Sequence, residues 1–190
     1  VPCQSNGVTL GNAIPYNEAC TSNSKKLNLI AGDDTFLNNP YSSLAKAIEL
    51  IETFGEDILL RHQSDWLSGW FLNDWSHGEE GNNVKLGWNI INKSWPESFE
   101  AYSLKKSIPV IKKSGSILGK INQSIANLLG TSEQLLVISG TTDSNAAFIA
   151  AQVKENEGLT ILGTTIVLKK IIQKTFCYPG ITMHRVNGDW

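Results

Sequence analysis

Asp143 stands at the end of an apolar run, Leu135 to Ile138, inside the segment SGTTDSNAA, where a turn passes into an Ala-rich stretch. A second apolar run, Leu159 to Leu162, meets the turn Gly163-Thr164-Thr165 and then more β-branched residues. The first unit offers one carboxylate at a strand-to-helix turn. The second offers two hydroxyls and free backbone N–H groups at a strand-to-strand turn. A carboxylate able to take a proton from a hydroxyl, close to a loop able to hold phosphate, suits phosphoryl transfer. Each residue also has a plainer reading. Asp143 at a helix start can be an N-cap that stabilises the helix by about 1 kcal/mol. Gly163-Thr164-Thr165 can be an ordinary hairpin turn, and it lacks the Gly-Lys-Ser/Thr ending of a Walker A loop.

A third group, Tyr16-Asn17-Glu18, follows Pro15. It offers an aromatic wall and polar side chains, which a sugar needs for its apolar face and its hydroxyls. Otherwise it is a surface turn. Lys169, Lys170 and Lys174 form a small basic cluster, read as a solvated face or as a phosphate-attracting rim. His62, His77 and His184 have no metal-ligand spacing. Most of the six tryptophans read as core packing.

These residues need elements to hold them. Leu44, Ile48, Ile51 and Phe54 share one face at helical spacing, with Gly55 placed to end the helix. A second helix is expected over 57–72, burying Ile58, Trp66, Leu67 and Trp70. A long irregular connection is expected over 73–93. Ile117, Ile121, Ile125 and Leu128 align as a third helix, 117–129, ahead of Gly130. A buried strand follows at 135–139, then a helix at 143–153 whose Ala146, Ala147 and Ala150 allow close packing on a sheet. After Glu155-Asn156-Glu157-Gly158, the best candidate for a domain boundary, the periodicity becomes that of strands: 159–162, 165–172 and 181–186. Asn187-Gly188 reads as a hairpin turn. Locally this says mixed α/β.

Composition narrows the class. The 190 residues are 41% hydrophobic and 18% charged, with a formal net charge of -2. That balance suits a globular chain and gives no reason to expect a nucleic acid or an anionic membrane as partner. Cys3, Cys20 and Cys177 are too few and too scattered for a disulfide framework or a zinc site, and the odd count favours a reducing compartment. No apolar run reaches the length of a membrane span.

In order along the chain, five segments resemble the FGGY family of carbohydrate kinases, most closely the ribulokinase-like and xylulokinase-like members. IPYNEA (14–19) is similar to the family's sugar-pocket segment. DWLSGWFL (65–72) is similar to the stretch after the long helix of the first domain. EEGNNVKLGW (79–88) with SWP (94–96) resembles an acid-Asn-Trp signature. IPVIKKSGSILGKI (108–121) resembles the run that leads to the catalytic strand. SGTTDSNAA and LGTTIVLK resemble the catalytic-aspartate and phosphate-loop segments.

The resemblance implies an actin-like ATPase (ribonuclease H-like) α/β fold. It implies transfer of the γ-phosphate of ATP, with Mg2+, to a hydroxyl of a small ketose such as D-ribulose or D-xylulose, or of a polyol. It makes Asp143 the catalytic residue, Gly163, Thr164 and Thr165 the phosphate-binding turn, and Tyr16, Asn17 and Glu18 sugar contacts. The family often has Asp where Glu18 stands and an Arg shortly after it, where this chain has Cys20 and Thr21.

Full members open with an Asp-x-Gly-Thr motif and carry a long Gly-rich C-terminal domain. Neither is present here, so the chain reads as an internal piece truncated at both ends. Residues 1–156 would be most of the sugar-binding domain, and 157–190 the start of the nucleotide-binding domain. The resemblance implies no metal ligand in this chain, a cytoplasmic or plastid location, and homo-oligomers through the complete parent. Two rivals stay open: a non-catalytic sugar-binding relic, and another actin-like ATPase such as a chaperone or filament former.

Overall fold

The computed structural model describes residues 1–163, 166–176, 178 and 181–184. Most of the buried apolar side chains gather around a helical pair. α1 (Ser24–Ala31) and α2 (Ser43–Phe54) pack together, and Leu27, Ile30, Leu44, Ile48 and Ile51 form the centre of the core. The Ser42 hydroxyl caps α2 by accepting from Ala45 N at 3.0 Å. Gly55 ends it at φ 90°, a backbone setting that costs a residue with Cβ. The expected face is borne out except at Phe54, which is 37% exposed.

The chain then departs from the helix expected over 57–72. β1 (Pro2–Cys3) pairs antiparallel with β2 (Leu59–Leu60), and α3 starts only at Gln63 and runs to Leu72. The apolar spacing fits either conformation. Pairing with the N-terminal residues decides it, together with the bond from Leu60 N to Ser107 O at 2.8 Å. Ile58 is buried as expected, but Leu67 is 46% exposed, and the fully buried residues of α3 are Asp65 and Gly69. Trp75, just past the helix, supplies the buried ring.

The 73–93 segment is also more regular than expected. Asn73 closes α3 in the left-handed region, at φ 57° and ψ 35°. β3 (His77–Glu79) follows and pairs parallel with β4 (Val110–Lys112), and α4 (Glu80–Val84) begins directly at its end. Short α5 (Ser98–Ala101) brings Phe99 into the core beside Leu86 and Leu104.

The expected helix over 117–129 divides in two. β5 (Ile117–Lys120) pairs antiparallel with β6 (Leu136–Ile138), and α6 spans Gln123–Leu129. Gly119 disfavours the helix, and the Asn122 side chain starts a new one by accepting from Ser124 N at 3.0 Å. Ile117 and Leu128 are exposed; Ile121, Ala126 and Val137 make a second, smaller core.

α7 (Asp143–Ala150) follows β6, then β7 (Gly158–Leu162) and β8 (Ile166–Lys170), an antiparallel hairpin. Residues 181–184 form no strand, and the rest of that expected strand, with Asn187-Gly188, lies outside the described residues. Among the described residues the strands pair only in twos. The mixed α/β expectation is borne out. No described helix is long and apolar enough to cross a membrane.

Candidate active site

The turn after β6 is held from both sides. Gly115 N donates to Ser139 O and Ser139 N to Ser116 O, each at 2.8 Å. Ser139 is buried, and the chain turns at Gly140 and Thr141 into α7. Thr142 is the N-cap: its backbone is extended at φ -72° and ψ 153°, and its hydroxyl accepts from Asn145 N at 3.2 Å. The cap reading for Asp143 is therefore replaced. Asp143 is the first helical residue, exposed, and its Oδ1 accepts from the adjacent Ser144 N at 2.7 Å. It therefore holds one N–H of the first turn from the first helical position, while Thr142 occupies the N-cap position, and the Asp143 carboxylate stays exposed.

The face α7 turns inward is not the alanine face. Ala146, Ala147 and Ala150 are exposed, whereas Asn145 is 1% exposed and Phe148 is also buried. The hairpin packs beside this face. Its register sets Leu159 opposite Lys169 and Ile161 opposite Val167, and these four are half-buried. Leu162, Ile166 and Leu168 point the other way and are more than 70% exposed. Lys169 Nζ donates to Asn145 Oδ1 at 2.5 Å, tying β8 to the catalytic candidate's own helix. Burial lowers the Lys169 pKa, and the Asp143 carboxylate partly offsets this.

A cleft opens between α7 and β8, lined by Thr142, Ser144 and Asn145 on one side and by Val167, Lys169 and Lys170 on the other. Gly163 caps the hairpin and is exposed. Thr164 and Thr165 lie outside the described residues. Tyr16 is 86% exposed, and Asn17 and Glu18 are exposed beside it. Their loop is held through its backbone: Glu18 N donates to Pro15 O, and Lys46 Nζ reaches Tyr16 O at 3.5 Å. None of the three lines the α7–β8 cleft.

Beneath the turn lies a polar cluster that the sequence reading missed. Asp65 is 5% exposed; its Oδ1 accepts from Glu79 N at 2.9 Å and its Oδ2 from Asn83 Nδ2 at 3.0 Å. Burial pushes its carboxyl up to about 6, against the lowering effect of those two bonds. Glu79, also buried, caps α4: Gly81 N and Asn82 N each donate to it at 2.7 Å, and Ser114 Oγ at 2.5 Å. A small void between this cluster and Ser139-Gly140 touches Asp65, His77 and Glu79 and has a volume of about 20 Å³, room for one water. Arg61 is buried nearby. It donates to the carbonyls of Trp75, Leu60 and Ser107 at 2.5 to 2.8 Å, so its charge stitches β2 to the flanking chain.

No family model matches the chain. Solved structures do resemble it. A carbohydrate kinase from Novosphingobium aromaticivorans superposes with a TM-score of 0.70 at 14% identity, over 88% of this chain and 40% of that one. Glycerol kinase from Plasmodium falciparum, solved with ADP, gives 0.71 at 19% identity, over 88% of this chain and 37% of that one. Xylulose kinase from Lactobacillus acidophilus gives 0.74 at 12% identity, over 93% and 39%. The chain thus has the fold of a part of these carbohydrate kinases and spans about two fifths of their length.

Proposed function

We propose that this chain is part of an ATP-dependent sugar kinase built on the actin-like ATPase (ribonuclease H-like) fold. Residues 1–156 belong to the sugar-binding domain, and 157–190 begin the nucleotide-binding domain. The reaction transfers the γ-phosphate of ATP to a hydroxyl of a small ketose, D-ribulose or D-xylulose, or of a polyol. The observation that carries this reading is the environment of Asp143. Thr142 caps α7, so the Asp143 carboxylate is exposed beside a cleft with only a neighbouring backbone N–H on it. A carboxylate so placed can orient the acceptor hydroxyl and take its proton late, as the loose transition state of phosphoryl transfer permits.

Gly163, Thr164 and Thr165 would hold phosphate oxygens, and Tyr16, Asn17 and Glu18 would face the sugar when the domains close over it. Among the described residues no group of three or more His, Cys, Asp or Glu comes together as a metal cage. Mg2+ that arrives on nucleotide phosphates keeps most of its waters and needs no cage of this kind, and no residue of this chain is assigned to it. When bound, the ion would neutralise charge on the transferred group. Free Cys3 and Cys20 accord with a reducing, cytoplasmic or plastid setting.

The test is ADP release with a panel of ketoses and polyols, in the complete enzyme and in Asp143→Ala. Turnover should fall by at least about a hundredfold in the variant, the lower range for loss of a general base. Sugar affinity should change far less. Near-normal turnover would remove Asp143 from the mechanism, and sugar binding without any turnover in the wild type would favour a non-catalytic binding protein.

A further inference from the structure

The cleft beside α7 carries more positive than negative charge. Lys85, Lys169 and Lys170 line it together with His184, and among the described residues no Asp or Glu does. Asp143, outside that lining, attracts Lys169 and outweighs the repulsion from Lys85, but leaves the other lysines uncompensated. Lys85 and Lys169 repel each other, and both oppose protonation of His184, whose pKa burial drops to about 4. His184 is therefore neutral at physiological pH, and its buried Nδ1 has no partner.

Lys169 is the most constrained of these groups. Alternation along β8 puts it on the inward face with Val167, opposite Leu159, where an apolar side chain would serve packing better. An ammonium can only donate, so its bond fixes Asn145 with Oδ1 toward Lys169. The Asn145 amide nitrogen is thereby turned toward Gly81 and is left without a partner. One N–H of Lys169 is used in this way; the other two have no protein acceptor among the described residues. Three lysines facing one carboxylate leave a net positive charge that raises the energy of the empty site, and a bound anion recovers part of that energy.

We propose that Lys169, assisted by Lys85, is a binding residue for a phosphate oxyanion in this cleft, next to Asp143. This deepens the kinase reading and rests on it for the source of the phosphate: the terminal phosphate of the nucleotide, or the ester phosphate of the phosphorylated sugar. Lys174 is the internal control, since it is exposed, lies outside the cleft lining, and carries the same charge.

The test needs binding and no turnover. Inorganic phosphate is titrated into the 190-residue chain and into Lys169→Met, Lys174→Met and Lys169→Arg. A charge-assisted bond is worth about 1.5–3 kcal/mol, so Lys169→Met should weaken phosphate binding by about tenfold or more. Lys174→Met should stay within about twofold, as expected for a screened surface charge. Lys169→Arg should retain most of the affinity.

A second measurement uses the wild-type chain alone. Acetylation of each lysine by an amine-reactive ester is mapped by peptide mass, with inorganic phosphate, a non-hydrolysable ATP analogue or a pentulose 5-phosphate present. Protection of Lys169 by the ATP analogue assigns the nucleotide phosphate; protection by the pentulose phosphate assigns the product. Equal losses in Lys169→Met and Lys174→Met, or protection of Lys169 by none of the three, would overturn the proposal. Those failures would leave the kinase reading intact, because that reading falls only on the turnover of Asp143→Ala.

Discussion

Replacing Asp65 by Asn isolates the cost of a buried charge. Asp65 is 5% exposed and forms no ion pair among the described residues; its oxygens accept from Glu79 N and Asn83 Nδ2. Burial raises its pKa from 3.8 to about 6. Between those values the folded chain holds a proton that the unfolded chain has lost, so stability falls as pH rises. The stabilising contribution is fully present below 3.8 and has gone above about 6. A gap of about two pH units corresponds to about 3 kcal/mol.

Other carboxylates titrate in the same range, so the wild-type profile alone is ambiguous. The difference between Asp65→Asn and wild type removes them. That difference carries a constant offset, because the Asn amide meets the Asn83 amide donor to donor. On top of the offset, the variant should gain about 3 kcal/mol relative to wild type between pH 3.8 and about 6, and then level off. Urea unfolding followed by circular dichroism at closely spaced pH values measures it. A flat difference curve, or one that falls with pH, would show that the Asp65 carboxylate is not desolvated as the structure requires.

Two further substitutions probe the scaffold. Thr142→Ala removes the N-cap of α7 and should cost about 1 kcal/mol, whereas Asp143→Ala, exposed and bonded to the adjacent Ser144 N, should cost less than that in the same urea assay. The opposite ranking would return the capping role to Asp143. Gly69→Ala sets a methyl 2.4 Å from Trp75 Cδ1, and the ring is confined on its other side by Gly7, where a Cβ would come within 2.1 Å. Trp75 Nε1 is also bonded to Trp66 O at 3.0 Å, so the ring has little freedom to retreat. Overpacking of this kind should cost about 1–3 kcal/mol, read as a lower Tm with altered near-ultraviolet dichroism; an unchanged Tm would mean the ring is free to move.

What could be read from the sequence divides along a physical line. Asp143 and the turns around it were legible because their signals are local: an apolar run, a Gly-Thr-Thr break and a helical stretch lie within a dozen residues. The strand β5 is not legible although Gly119 and Asn122 are visible as a breaker and a cap, because the four-residue spacing of Ile117, Ile121 and Ile125 fits a helix. β2 had no such signal, because pairing with the N-terminal residues, some sixty positions away, decides it.

The polar cluster escaped for the same reason. Nothing near Asp65 announces that its partners are Glu79 and Asn83, and an acid three residues into an amphipathic stretch looks like surface. Lys169 is the intermediate case. Strict alternation along Ile166–Lys170 puts it on the face of Val167 and opposite that of Leu168, so an inward lysine is implied by period two alone. Only the fold tells which face is inward, since both carry apolar residues. A charged side chain on the covered face of a hairpin, bonded to the one fully buried amide of the neighbouring helix, costs desolvation that packing does not return. That cost sets Lys169 apart from Lys174, which is exposed and outside the cleft.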